Sequence, residues 1–409
     1  MKVLRIIPSM NPSSGGPCRG IRNIIPELEK LGIYNEVVCL DAPLHNFLEK
    51  DGFTITSLGP SKGAWQYSPK LIPWLLDNLS RFDVVIVHAL WLYHGYAFYK
   101  AFKKYKKLHN GMGRELNYPK FFVMPHGMLD PYFQQASERK IKAMRNWAYW
   151  KLIESKLVNN ADGLLFTCKM ELLLAREPFR PYHPKQEINI GYGVEPPPPF
   201  ETTMCSAFHE KCPQVKDQPF ILFLSRIHEK KGIDHLIEAY GNVLDNMQGH
   251  KKSVGGKPSF PKLVIAGPGL ETPYGKKMQQ LVSESGTLQE SVFFPGMLTG
   301  NAKWGAFYLS EAFILPSHQE NFGIAVVEAL ACGKPVLISN QVNIWREIIE
   351  VGGGVVEEDT TAGTQKLLEA WLRISCKEKK VMGDQALSSY INNFSIIHAA
   401  KRFSQLVVT

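Results

Sequence analysis

Residues 312–338, AFILPSHQENFGIAVVEALACGKPVLI, read as a short apolar strand, a polar loop, a helix stopped by Gly333 and a second apolar strand. Both strand runs are apolar along their whole length instead of alternating with polar residues. That is the mark of a parallel sheet buried on both faces, with helices covering it. The segment alone therefore predicts an α/β fold.

The same alternation extends outward. Apolar runs at 220–224, 263–266 and 292–294 precede it with helical patterns between them, and the first half repeats the rhythm at 3–7, 36–40, 83–87, 121–124 and 163–166. The expectation is two Rossmann-like, doubly wound domains, and 409 residues suit two cores better than one. A linker is expected over 191–218, where the prolines at 196–199 can continue neither a helix nor a central strand. The predicted domains are thus 1–195 and 196–394. A last helical pattern from about 395 starts at Ser395 and carries Ile396, Ala399, Phe403 and Leu406 along one side.

Hydrophobic residues make up 44% of the chain and charged residues 21%, the balance of a folded globular protein. The opening MKVLRII meets a polar run at once, which is too short for a signal peptide, and no stretch approaches the ~20 apolar residues of a membrane span. Seven cysteines without a CxxC pair suit neither a disulfide framework nor a zinc site, so a cytoplasmic location, no metal and no cofactor are expected. A formal charge of +9 calls for an anionic partner: nucleic acid, a membrane surface or a phosphate-bearing small molecule. Within 98–107, Phe98, Phe102 and Tyr105 share one helical face and Lys100, Lys103, Lys104 and Lys107 the other; 139–156 is a second basic stretch. A core-packed helix with a solvated basic face is the simpler reading, and peripheral contact with an anionic membrane the alternative.

Ligands of doubly wound sheets collect beyond the carboxyl ends of the strands. After the first strand comes Ser13-Ser14-Gly15-Gly16-Pro17. Gly15 and Gly16 admit close backbone approach and the following helix start favours an anion, although an unliganded Gly-Gly turn reads equally well. After the 220–224 run comes Ser225-Arg226-Ile227-His228-Glu229-Lys230-Lys231-Gly232, where Arg226 and Lys231 either converge on one diphosphate or are solvated charges on a turn. In the opening segment Glu320 stands before the helix and Glu328 on it, about 12 Å apart along the axis if every turn between is helical. The amides of Asn321, Phe322 and Gly323 at the helix start would face anionic oxygens. Glu328 lies on a largely apolar helix and needs a partner, which a bound polar ligand would supply. His126 follows a buried strand in Pro125-His126-Gly127; taken alone, it is more simply a core histidine, and His88 and His94 have less support still.

At this point the chain resembles the retaining glycosyltransferases of family four, whose GT-B fold sets two Rossmann-like domains facing across a cleft. Glu320 and Glu328 match that family's pair of glutamates seven residues apart. The Ser225-Arg226 to Lys231-Gly232 segment looks like its basic diphosphate segment, with serine where many members carry glycine, and Ala266-Gly267-Pro268-Gly269 and Phe294-Pro295-Gly296-Met297 look like its remaining donor loops. The first half matches more loosely, through Gly15-Gly16, Met124-Pro125-His126-Gly127-Met128-Leu129-Asp130 and Tyr192-Gly193-Val194. The resemblance implies that Arg226 and Lys231 hold the diphosphate, that Glu328 holds the ribose hydroxyls, and that Met297 reads the base through its backbone. Glu320 and the backbone of Asn321, Phe322, Gly323 and Ile324 would hold the transferred sugar, with Gly267 beside them, Gly16 closing the phosphate site and His126 touching the donor sugar. In the resembling fold the last helix crosses back onto the N-terminal domain, and closure of the two domains accompanies binding.

The expected activity is metal-independent, retaining transfer of a hexose from a nucleotide diphosphate sugar to a glycan or lipid-linked acceptor in cell-surface polysaccharide synthesis. UDP-glucose is the first donor expected, with other UDP-hexoses and GDP-sugars behind it. Arg226 and Lys231 would take up the charge on the departing diphosphate, and the chain has no Asp-x-Asp motif for a divalent ion. Glu320 is expected to position the sugar instead of forming a covalent adduct. Two other readings stand beside this one: a sugar nucleotide epimerase or phosphorylase on the same fold, and a non-catalytic basic adaptor for a membrane or nucleic acid. The motif set leaves nucleic acid out of the expected partners.

Overall fold

The computed structural model describes residues 1–43, 51–109, 118–135, 139–250 and 260–408. Contacts divide the chain into two units, Met1–Gly193 with Ile396–Thr409, and Val194–Ser395. Each is built on one fully parallel sheet.

The first unit holds β1 (Lys2–Ile6), β2 (Tyr34–Cys39), β3 (Thr54–Ser57), β4 (Val84–His88), β5 (Lys120–Met124), β6 (Gly163–Phe166) and β7 (Glu187–Asn189), in the order β3-β2-β1-β4-β5-β6-β7. The second holds β8 (Phe220–Leu224), β9 (Lys262–Ala266), β10 (Val292–Gly296), β11 (Ala312–Leu315), β12 (Val336–Ser339) and β13 (Gly354–Glu357), in the order β10-β9-β8-β11-β12-β13. Both sheets wind outward from a central pair, β1 with β4 and β8 with β11. The expected central strands are all present. VVIVH in β4, AFIL in β11 and VLIS in β12 are buried at every position, as two helix-covered faces require.

Three strands were not anticipated: β3 (TITS), β7 (EIN) and β13 (GVVE). All are sheet edges with no fully buried residue, so they lack the apolar run that identified the others. The segment 191–218 is not a linker throughout. Helix Thr202–Lys211 occupies its middle, with Met204 and Phe208 buried against helix Gly300–Leu309. A Cβ on Gly305 would collide with the Met204 carbonyl, so glycine allows these two helices their close approach. The stretch without helix or strand runs from 190 to 201, around the proline tetrad, with an isolated bridge at Val194.

The last helix, Ile396–Val408, packs within the first unit. Ala400, Phe403 and Val407 join Val3, Ile86, Phe122 and Leu165 in one apolar cluster. Leu406 is only partly buried, and Val407 stands in the core beside it. Thr409 lies outside the described residues. The Ser395 hydroxyl turns back to donate to the Ile391 carbonyl at 2.9 Å.

Candidate functional site

In the second unit the loops after β8 and β11 leave neighbouring strands at the point where the strand order reverses, the usual ligand position of such a sheet. They are stitched together by the Lys230 carbonyl, which accepts from the His318 amide at 2.9 Å and the Ser317 hydroxyl at 3.0 Å. Gly232 sits at φ 65°, where any side chain would strike the Pro316 carbonyl. This contact delivers Lys231, which is 7% exposed, to the Glu320 carboxylate, and the two form an ion pair. Glu320 is itself fixed by its backbone: its amide donates to the Gln341 carbonyl at 2.9 Å and its carbonyl accepts from the Asn343 amide at 2.9 Å.

The helix after this loop runs Ile324–Ala331 and is entered through Gly323 at φ 76°, a left-handed conformation suited to glycine. Val326, Val327, Ala329, Leu330 and Ala331 are buried, Ile324 and Ala325 only partly so, and Glu328 is buried with them. Here one sequence expectation changes. The partner of Glu328 is a residue of the chain, Lys303 of helix Gly300–Leu309, whose ammonium lies 2.7 Å from Oε1. Lys303 also lies 4.3 Å from the Trp304 ring centroid. Nothing marks it in the sequence, where it is one lysine among many. A buried acid on an apolar helix implies a cation, but its position becomes visible only in three dimensions.

Arg226 follows β8 and is exposed. Gly267 follows β9 at φ 146°, where a Cβ would strike the Ser225 carbonyl. Its amide donates to the Gly296 carbonyl at 2.9 Å, tying the loop after β9 to the end of β10. Met297, just beyond, is 63% exposed. Arg226, Lys231, Gly267, Met297, Glu320, Asn321, Phe322, Gly323, Ile324 and Glu328 thus all belong to the second unit and to the carboxyl ends of its strands or the helix that follows.

The remaining expected residues belong to the first unit. Gly15, at φ 99° with open space where a side chain would stand, precedes helix Gly16–Lys30. The Tyr192 hydroxyl donates to the Gly16 carbonyl at 2.7 Å. His126 leaves β5 in a left-handed conformation, φ 55°, followed by Gly127 at φ 79°, whose amide donates to the buried Glu171 carboxylate at 2.5 Å. His126 Nε2 lies 2.9 Å from His88 Nδ1, and His88 Nε2 lies 3.2 Å from Arg5 Nη1. A cavity of about 30 Å³ is lined by Arg5, His88, His126, Gly20, Tyr192 and Phe403, among others, room for about one or two water molecules. His94 joins this chain of contacts only through the His88 backbone. Its Nε2 meets the His88 carbonyl at 2.7 Å, and burial pushes its pKa down to about 4.

Sequence reasoning also missed Glu154. It ends a π-helical turn, Trp150–Glu154, is fully buried, and accepts from the Trp91 amide at 2.8 Å. Burial pushes its pKa up to about 8, so it carries a proton at neutral pH.

Residues 206–387 match the family described as glycosyl transferases group 1. An uncharacterised glycosyltransferase of Methanocaldococcus jannaschii is 32% identical over 161 residues, 38% of this chain and 37% of that protein. A phosphatidyl-myo-inositol mannosyltransferase of Mycobacterium leprae is 31% identical over 160 residues, 37% of each chain. The matched segment thus spans little more than a third of these relatives' length. Among solved structures, a glycosyltransferase of Rickettsia africae superposes over 99% of this chain and 97% of its own with a TM-score of 0.72 at 17% identity. Anabaena HepE in complex with UDP and glucose superposes over 100% of this chain and 99% of its own at 0.69 and 15% identity. The fold is that of the GT-B glycosyltransferases.

Two expectations follow from the site's charges. Lys303→Met removes the ammonium paired with the buried Glu328 carboxylate and should cost about 3–5 kcal/mol of stability in urea unfolding, whereas the double change with Glu328→Leu should recover most of it. Glu154 has a folded pKa above its unfolded one, so its contribution is complete below about 4.5 and is lost as pH rises to about 8. Unfolding curves across that window should lose up to about 1.4 kcal/mol per pH unit from this group, and Glu154→Gln should flatten the slope.

Proposed function

We propose that this protein, whose residues 206–387 match the family described as glycosyl transferases group 1, is a retaining glycosyltransferase transferring a hexose from a nucleotide diphosphate sugar. UDP-glucose is the first donor to test, and a glycan or lipid-linked saccharide the acceptor. The observation that carries the reading is the set of charged groups around the β8–β11 reversal: Lys231 paired with Glu320, Glu328 held by Lys303, and Arg226 exposed just after β8. HepE, of the same fold, has been solved with UDP-glucose, which favours uracil over guanine as the base.

The chemistry follows from the charges. Departure of the diphosphate leaves negative charge at the bond being broken, and Arg226 and Lys231 supply fixed cations for it. Glu328 holds the ribose hydroxyls, its carboxylate oriented by Lys303. Glu320 orients the sugar. A carboxylate already neutralised by a lysine ammonium is a poor nucleophile, which favours same-face attack assisted by the donor phosphate over a covalent intermediate. The chain brings its own positive charge to the leaving group, which supports a metal-independent reaction.

The membrane reading gains a specific observation. Phe98, Phe102 and Tyr105 are core residues, so helix Tyr93–His109 offers only a solvated basic face. In the 139–156 stretch, by contrast, Ile141, Met144, Trp147 and Leu152 are 81%, 69%, 56% and 68% exposed, among Lys140, Lys142, Arg145 and Lys151. Exposed apolar side chains ringed by basic ones suit an anionic bilayer, and a lipid-linked acceptor would give the contact a purpose. Among the described residues no helix is long and apolar enough to cross a membrane. The protein would then work at the inner face of a membrane, on its surface.

A nucleotide-sugar screen by unfolding tests the donor. At a hundredfold excess over its Kd, UDP-glucose should add about 2.7 kcal/mol, and epimers or sugar phosphate appearing without acceptor would redirect the assignment to an epimerase or phosphorylase. Lys231→Met should lower kcat by about 10²–10³, and a trapped glycosyl adduct on Glu320 would overturn the mechanism. Vesicles containing phosphatidylglycerol should sediment the protein, and changing Ile141, Met144 and Leu152 to Asp should release it; unaltered sedimentation would refute the contact.

A further inference from the structure

We infer that Arg5 and His88 lock His126 into one neutral tautomer, so that it presents a single N–H, at Nδ1, to whatever it binds and cannot serve as a base. The argument is one of donors and acceptors. A guanidinium can only donate, so Arg5 Nη1, 3.2 Å from His88 Nε2, forces that nitrogen to be the acceptor. The proton of a neutral His88 is then on Nδ1, which donates to His126 Nε2 at 2.9 Å. His126 has thereby committed its lone pair, and its own proton must stand on Nδ1. Ring orientation is fixed as well: the His88 and His126 planes are inclined by 20° with centroids 5.2 Å apart.

Everything around the chain holds it in this state. Arg5, on β1, is 3% exposed, and its Nε donates to Asn35 Oδ1 at 2.9 Å, while Asn35 in turn donates to the Ile33 carbonyl. Phe403 of the last helix covers the guanidinium at 5.2 Å. Arg5 Nη2 is buried without a partner among the described residues, beside the small cavity, where a water would satisfy it. The titratable groups facing His88 are Arg5 on β1, His126 after β5 and His94 on helix Tyr93–His109, and none is a carboxylate. Burial, with the positive charge of Arg5, pushes His126 down to about 3 and His88 well below the ordinary imidazole value. His88 is therefore a positioning residue. A hydroxyl or phosphate oxygen is the class of group that His126 can recognise; that it belongs to the sugar donor rests on the proposed function.

Nitrogen–proton correlation spectra of the histidine rings in the full-length protein read the tautomer directly, with His126→Asn and His88→Asn assigning the two signals. Both rings should show the Nδ1–H form, unchanged from pH 8 to pH 5. Tautomer exchange, an Nε2–H form, or a midpoint near the ordinary histidine value at His126 would overturn the inference. His88→Leu should release His126 to exchange between its Nδ1–H and Nε2–H forms and cut kcat/KM for the donor about tenfold, the scale of one lost hydrogen bond. His88→Gln, which can still accept and donate, should keep most of the activity. The spectra need no substrate. A locked His126 in a protein that transfers no sugar would refute the proposed function alone, and an active enzyme with a titrating His126 would refute the lock alone.

Discussion

Parallel strands bring all their carboxyl ends to one edge of a sheet, and in both units this constraint decides where chemistry can be placed. At β8 and β11 the chain turns outward in opposite directions, leaving a gap that two loops must fill. The loops fill it with charge, and the charge has to be answered locally because much of it is out of water. Lys231 answers Glu320, and Lys303 answers Glu328. The glycines at 232, 267 and 323 are then less a set of conserved-looking letters than a list of places where backbone comes too close to backbone, or turns too sharply, for a side chain.

How much of this could be read from the sequence depended on whether a feature was local. A central strand declares itself because both its faces are buried, so β4, β8, β11 and β12 were legible from apolar runs alone. Strands β3, β7 and β13 were not, because an edge strand faces the core on too few positions to leave a run. Helix Thr202–Lys211 was masked by its neighbours, four prolines whose influence ends sooner than their number suggests. The same division holds for the site. Glu320, Glu328, Arg226 and Lys231 stood out through spacing along two short segments. Lys303 and Glu154 did not, since each gains meaning from a partner far away in sequence. Arg5 is the clearest instance: it drew no reading within a strand of apolar neighbours, and it is 3% exposed.

The buried ionisable groups of the first unit follow a consistent logic. None of His88, His94, His126 or Glu154 carries charge at neutral pH, because burial shifts each toward its neutral form. Arg5 beside them remains charged, even with its pKa lowered to about 9. The carboxyl ends of β4 and β5 thus present directed hydrogen bonds instead of net charge, whereas the carboxyl ends of β8 and β11 present ion pairs.

The last helix gives the molecule an order of events. Val3, Ile86 and Phe122 share a cluster with Phe403, so the first unit is discontinuous in the chain, with the whole of the second unit spliced into it. During synthesis the second unit can complete its core while the first still waits for its final helix. The N-terminal sheet would spend that interval with part of one apolar face uncovered, and Arg5 without the ring that caps it. For this chain, being made first does not mean being finished first.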